Sequence, residues 1–186
     1  TSNFFEVILA PSFTKKALII LSKKNKLILV NTKNFKKDNK LDIKSVSNGY
    51  LIQEKNNFLI KKKDLKCVSK KSNSAVINDL IFALKVCKHV KSNAIVLAKN
   101  QTTISIGAGQ MSRINAIKIA LSKINNKKIH FVTASDGFFP FVDSIKVLIK
   151  SRCKAIVQPQ GSINDKKVIS FANKNKFSLS KICHFI

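Results

Sequence analysis

The sequence predicts a layered α/β fold built on a mixed sheet, and three observations carry that expectation. Short β-like runs alternate with stretches of helical apolar spacing along most of the 186 residues. Apolar residues make up 45% of the chain, enough for one substantial core or two small subdomains. Around Gly107 and Gly161 the chain twice runs strand, glycine turn, helix start.

In the first part, residues 6–10 read as a strand that Pro11 ends. Ser12 is the expected cap of a helix over 14–23, with Ala17, Leu18, Ile20 and Leu21 as its apolar stripe. Residues 27–30 form a second strand, which suggests a βαβ piece with parallel pairing. Residues 31–39 are a polar connector. Residues 43–46 and 50–53 flank Asn48-Gly49, a pair compatible with positive φ, and read as a hairpin. The charged stretch 61–71 reads as loop. The division falls between residues 1–72, a first subdomain end with its connector, and residues 73–186, a second subdomain.

The second part opens on the strongest helical signal. Ile77, Leu80, Ile81, Leu84 and Cys87 recur at helical spacing over 75–90. Residues 94–98 and 102–106 are β-like, with Asn100 and Gln101 between them as a hairpin turn. Ser112 starts a helix over 113–124, lined by Ile114, Ile117, Ala120 and Leu121. A strand over 129–132 leads into an aromatic turn, and a helix over 142–149 follows. Residues 155–157 form a buried strand, residues 159–161 a turn, and residues 165–172 a helix; a short strand near Phe177 closes the unit.

Composition narrows the function classes. No apolar run reaches the roughly 20 residues of a membrane span. Cys67, Cys87, Cys153 and Cys183 show no CxxC spacing, so they read as free thiols in a reducing, cytoplasmic setting. The formal charge of +26 would attract nucleic acid, yet only Arg113 and Arg152 are arginines. Readers of bases and phosphates favour the arginine fork, whereas lysine and asparagine are spread here over the whole chain. Compositional drift at solvent-facing positions explains that pattern better than a nucleic-acid face. A positive field would still favour an anionic substrate.

The stretch Ser135-Asp136-Gly137-Phe138-Phe139-Pro140-Phe141 is the most informative. Its three aromatics cannot all face one way in an extended segment, and Pro140 stiffens the turn. It reads either as a plug on the core or as an apolar wall for a flat ligand, with Asp136 or Asp143 adding polar recognition. Gly107-Ala108-Gly109-Gln110-Met111-Ser112-Arg113 follows a strand and opens a helix; it is an anion site or a tight structural turn, and it has neither dinucleotide nor P-loop spacing. Ser92-Asn93 is a turn or a polar group orienting a substrate. Gln158-Pro159-Gln160-Gly161-Ser162 suggests a second ligand-facing loop, with Asn164 and Asp165 as caps of the next helix. No serine, histidine and acid are spaced as a triad, and His89, His130 and His184 give no metal-ligand rhythm.

These segments together resemble the bifunctional AICAR transformylase/IMP cyclohydrolase family of purine biosynthesis, in the C-terminal part of its transformylase domain. The resemblance rests on Phe5 to Pro11, Lys85 to Val96, Ile106 to Arg113, Ser135 to Phe141, Gln158 to Asp165 and Cys183-His184-Phe185, all in order. It implies a cytidine-deaminase-like layered fold. It also implies transfer of a formyl group from the co-substrate 10-formyltetrahydrofolate to the 5-amino group of AICAR, with no metal. Asn93 is similar to an active-site asparagine near the reacting groups. Arg113 and Phe138 match residues on the AICAR side. Ile114, Pro140, Phe141, Asp143 and Ser162 match residues on the folate side.

The family places its main proton-transfer lysine–histidine pair in the first half of the transformylase domain, upstream of the residues matched here; neither Lys88-His89 nor Lys91 takes its place. Cys183 stands where the family commonly has an arginine that helps hold the substrate phosphate. Val142 replaces a common arginine, and the usual C-terminal histidine is absent from the sequence. Weak or absent turnover of the isolated chain is therefore expected. So is a partner, either a second copy in a homodimer or a complementary upstream half carrying the rest of the enzyme. Two other readings are a non-catalytic C-terminal subunit or remnant that needs a complementary chain, and a basic nucleic-acid binder resting on charge alone.

Overall fold

The computed structural model describes residues 4–35, 41–126 and 128–183. The chain divides into two compact units, Thr1–Lys55 and Asn56–Ile186.

In the first unit, β1 (Val7–Ala10) pairs in parallel with β2 (Ile28–Asn31), and α1 (Lys15–Leu21) connects them. This is the expected βαβ piece. Its helix is capped by Thr14 rather than Ser12. Thr14 Oγ1 accepts the Ala17 N–H at 3.2 Å, since a cap must sit three residues before the amide it satisfies. β3 (Leu41–Val46) and β4 (Gly49–Glu54) form an antiparallel hairpin. Gly49 pairs with Val46 inside the ladder, so Ser47 and Asn48 make the turn instead of Asn48 and Gly49. Residues 36–39 of the expected connector lie outside the described residues.

The second unit starts with a correction to the loop expected over 61–71. A single 3-10 turn at Lys62–Asp64 leads into β5 (Leu65–Cys67), which pairs antiparallel with the last strand. Lys66 on this edge strand blunts it against further pairing, and three residues are too few to show the alternation by which a strand is recognised. Residues 56–72 thereby join the second unit.

The remaining elements follow in the order expected: α2 (Ser74–Cys87), β6 (Ile95–Lys99), β7 (Thr102–Gly107), α3 (Arg113–Ser122), β8 (Phe131–Ser135), α4 (Asp143–Lys150), β9 (Cys153–Pro159), α5 (Asp165–Lys174) and β10 (Ser178–Ile182). They build a mixed six-stranded sheet in the order β5-β10-β9-β8-β6-β7. The pairs β8–β9 and β9–β10 are parallel; β6–β8, β6–β7 and β5–β10 are antiparallel.

The strand period of two sorts the core onto two faces. Ile95, Leu97, Ile156 and Leu179 pack on one face with α3, α4 and α5 residues such as Ile117, Leu148 and Val168. Ala94, Val96, Ala98, Ala155 and Val157 pack on the other with Leu80, Ala83, Leu84 and Cys87 of α2. Central strands buried on both faces read as continuous apolar runs, which is why residues 94–98 were legible as strand. Caps are local: Asn73 Oδ1 accepts Val76 N–H at 2.9 Å and Ser112 Oγ accepts Asn115 N–H at 3.3 Å. The β6–β7 turn uses Asn100 and Gln101 at φ 49° and 51°, and both of their N–H groups donate to the Asp79 carboxylate. No helix among the described residues is long and apolar enough to cross a membrane.

Candidate functional site

The strand directions decide where the loops go. β7, β8, β9 and β10 all finish at the end of the sheet where β6 begins, since Ile95 pairs with both Gly107 and Ser135 while β9 and β10 run parallel to β8. The segments around Asn93, Gly107–Gln110, Asp136–Phe141 and Gln158–Ser162 therefore share one edge. The N-termini of α3, α4 and α5 follow these same loops. This is the carboxyl edge of the parallel strands, where open α/β sheets hold their ligands.

Asp136 organises the middle of that edge. It is buried at 7% exposure, and its Oδ1 accepts the Ala94 N–H at 3.1 Å. Its Oδ2 accepts the hydroxyl of Ser92, and its own N–H donates to Ala94 O at 3.3 Å. Arg113 Nη2 lies 3.4 Å from Asp136 Oδ1. The guanidinium extends over Gly137, where an added Cβ would collide with it. While the arginine lies there, residue 137 has no space for a side chain. Beneath this group, Cys87 Sγ sits 3.9 Å from both Ala94 O and Ala134 O. Burial pushes its thiol up to about 12; the Asp136 charge adds to the rise and Arg113 opposes it.

Asn93 ties the start of β6 to the loop after β7. Its Nδ2 donates to Gln110 O at 2.7 Å and its N–H donates to the same oxygen at 3.2 Å. Gly109 N–H donates to Lys91 O at 2.8 Å, with Gly109 at φ +64°. Gly107 is equally constrained, since a Cβ there would strike the backbone of Ala116 in α3. The loop is structurally constrained, and the arginine at its end is held by Asp136.

The aromatic turn divides its side chains. Phe139 is fully buried in the face carrying α3–α5, Phe138 and Pro140 are half-buried, and Phe141 is exposed at 62%. Phe139 thus plugs the core, while Phe141 of the same segment faces solvent. Ser135 Oγ donates to Gly137 O at 2.7 Å and tightens the turn. On its far side, Phe139 N–H donates to Gln158 Oε1 at 3.1 Å, and Asn164 Nδ2 donates to Pro140 O at 2.9 Å. Asn164 occupies the cap position of α5 but makes no side-chain cap bond, contrary to the role expected for it.

The edge therefore brings together Asn93, Arg113, Phe138, Pro140, Phe141 and Ser162 through the loops that carry them. Ile114 is half-buried in the first turn of α3. Asp143 is exposed at the start of α4, where its Oδ1 accepts the Ser144 N–H at 2.8 Å. Lys88 Nζ is engaged by Phe58 O at 3.2 Å and Asn56 Oδ1 at 3.4 Å. His184 and Phe185 lie outside the described residues. Lys181 escaped the sequence reading: it is buried at 5% exposure and ion-paired to Asp165. Its only sequence signal is a charge inside a strand. An apolar cavity lined by Leu121, Ile124, Ile129, Phe131 and Arg152 opens where β8 begins, away from this edge.

A family model described as AICARFT/IMPCHase bienzyme matches residues 1–123. The chain is 49% identical over 185 residues to the Bifunctional purine biosynthesis protein PurH of Buchnera aphidicola subsp. Baizongia pistaciae, covering 96% of this chain and 35% of that protein. The protein of the same name from Fusobacterium nucleatum is 49% identical over 187 residues, covering 98% of this chain and 36% of that one. Its counterpart in Aquifex aeolicus is 41% identical over 185 residues, covering 96% and 35%. The chain spans about a third of the length of these curated relatives.

Proposed function

Since the chain belongs to the AICARFT/IMPCHase bienzyme family, we propose that its second unit carries the nucleotide- and folate-facing loops of an AICAR formyltransferase. The observation that carries this reading is the gathering of four loop segments at one edge of the sheet, organised around Asp136.

The reaction moves a formyl group from 10-formyltetrahydrofolate to the 5-amino group of AICAR. The amine attacks the formyl carbon, the bond from that carbon to the folate nitrogen breaks, and the amine loses a proton. An amine conjugated with a ring is a weak nucleophile, so proton removal and stabilisation of the tetrahedral oxyanion are both needed. Asn93 has its Nδ2 committed to Gln110 O, which leaves its Oδ1 as the acceptor for the reacting amine. Arg113 is oriented by Asp136 and offers its remaining donors to the anionic nucleotide. Phe138 flanks the AICAR ring. The flat pterin lies along Ile114, Pro140 and the exposed Phe141, with Asp143 taking donors from its polar edge and Ser162 closing the second loop.

The proton-transfer pair and the phosphate arginine belong, in this reading, to a complementary polypeptide segment, since a second copy of this chain would lack them equally. The parent protein also carries the cyclohydrolase activity of the bienzyme. A cytoplasmic setting, where thiols stay reduced, accords with four free cysteines.

Titration of the purified chain with 5-formyltetrahydrofolate tests the folate wall. The chain binds it, and Phe141→Ala and Asp143→Ala each weaken binding by about tenfold, the loss of one good contact. Unchanged affinity in both variants overturns the assignment.

A further inference from the structure

The aromatic turn has few backbone groups by which it can be held. Pro140 has no N–H, and the Phe139 N–H and the Pro140 carbonyl are the polar groups that flank its ring. Both are taken by side chains of one other segment. Gln158 Oε1 accepts the first at 3.1 Å and Asn164 Nδ2 donates to the second at 2.9 Å. That segment is itself closed on the sheet. Asn164 N–H donates to Ser162 Oγ at 3.1 Å, Asp165 Oδ2 accepts Gly161 N–H at 3.2 Å, and the same carboxylate pairs with Lys181, the register partner of Gln158 across β9–β10.

Gln158 carries the sharpest signal. It is fully buried, and its Nε2 has no hydrogen-bond partner among the described residues. An orphaned buried donor costs stability, and the gain this glutamine returns lies at its other end. That end holds the turn. Sealed inside the protein, the amide cannot reach a ligand itself.

We propose that Gln158 and Asn164 are positioning residues: they brace the aromatic turn against residues 158–165, so that the two loops present Pro140, Phe141 and Ser162 as one rigid wall. The proposal rests on the folate-facing reading above for its consequence, and on the geometry alone for the brace. A preorganised wall avoids ordering two loops on binding, so its loss falls chiefly on the ligand that spans both loops; the one held at Asn93 and Arg113 meets the turn at Phe138 alone and loses less.

The test uses Gln158→Met and Asn164→Leu in the full 186-residue chain. Each keeps the side chain's size and removes the bond; the methionine also removes the orphaned donor, which offsets the Phe139 N–H it leaves unpaired. Hydrogen exchange is read over residues 138–142 and 160–164, with titrations of 5-formyltetrahydrofolate and AICAR and a urea midpoint. Either substitution is expected to speed exchange about tenfold in both loops. Folate affinity should fall about tenfold while AICAR affinity stays within about twofold. Where the leucine variant does not fold, Asn164→Asp removes the same donor at a half-buried position. Loosening confined to the substituted loop, or equal weakening of both ligands, overturns the proposal. Joint loosening of the loops in a chain whose wild type binds no folate analogue supports the brace and removes the folate reading.

Discussion

Arg113 lies across Gly137, and the position has no room for a side chain: a Cβ built on Gly137 would land on the guanidinium. The same guanidinium is held by Asp136, the residue before that glycine, at 3.4 Å. One peptide thus supplies both the charge that orients the arginine and the space it occupies.

Gly137→Ala is expected to separate function from folding. The atom in the way is the far end of a long side chain, so Arg113 can swing aside at small cost to the fold. Its pairing with Asp136 is then lost, and so is its placement at the edge. AICAR affinity should fall by about tenfold, the scale for one oriented charged hydrogen bond. The urea midpoint should move little. Calorimetric titration and a denaturation curve on the same preparation check both. Retained affinity would show that Arg113 is not placed by this contact.

Much of this arrangement could be read from the chain, and the reason is local. The helix over Ser74–Cys87 shows its buried stripe directly in Leu80, Leu84 and Cys87, and the loop motifs at Asn93, Gly107 and Asp136 stand next to their strands. The failures are equally specific. β5 was hidden because Lys66 sits in a three-residue edge strand. Ser12 and Thr14 are both competent caps, and only the helix start decides between them. Asn164 carries the right residue type for a cap, but its Nδ2 donates to the Pro140 carbonyl and its Oδ1 caps no helix amide. Partners far apart in sequence were not legible at all. Ser92 reaches Asp136 across 44 positions, and Lys181 finds Asp165 only once β10 is registered beside β9. Among the described lysines, little in the sequence marks Lys181 as buried.

Phe139 and Phe141 stand two residues apart with opposite burdens. Phe139 is sealed in the core with Ile95, Ile117 and Ile145, whereas Phe141 is exposed at 62%. Phe139→Ala should cost about 3–5 kcal/mol of stability, the range for a buried aromatic replaced by alanine. Phe141→Ala should change stability by less than about 0.5 kcal/mol, as exposed substitutions do. Paired urea curves decide it. Similar losses in both would show that Phe141 is packed and unavailable to a ligand.

Two buried thiols give the chain an alkaline limit. Burial pushes Cys87 and Cys153 up to about 12 from an ordinary value of 9.0; hydrogen bonding to Thr133 and to the Ala155 backbone opposes the rise at Cys153. The unfolded chain loses these protons near pH 9.0, while the folded chain keeps them to about 12. Their stabilising contribution is therefore complete below pH 9.0 and is lost progressively as pH rises towards 12. Inside that window each thiol steepens the fall by about 1.4 kcal/mol per pH unit. Cys87→Ala and Cys153→Ala should each flatten the decline of the urea midpoint between pH 9 and 10.5, by about one thiol's share. Alkylation supplies a second reading at pH 8: the exposed Cys67 and Cys183 react first, and the buried pair react only as the chain unfolds. An unchanged pH slope in both alanine variants, with all four thiols labelled at similar rates, would mean that Cys87 and Cys153 are open to solvent.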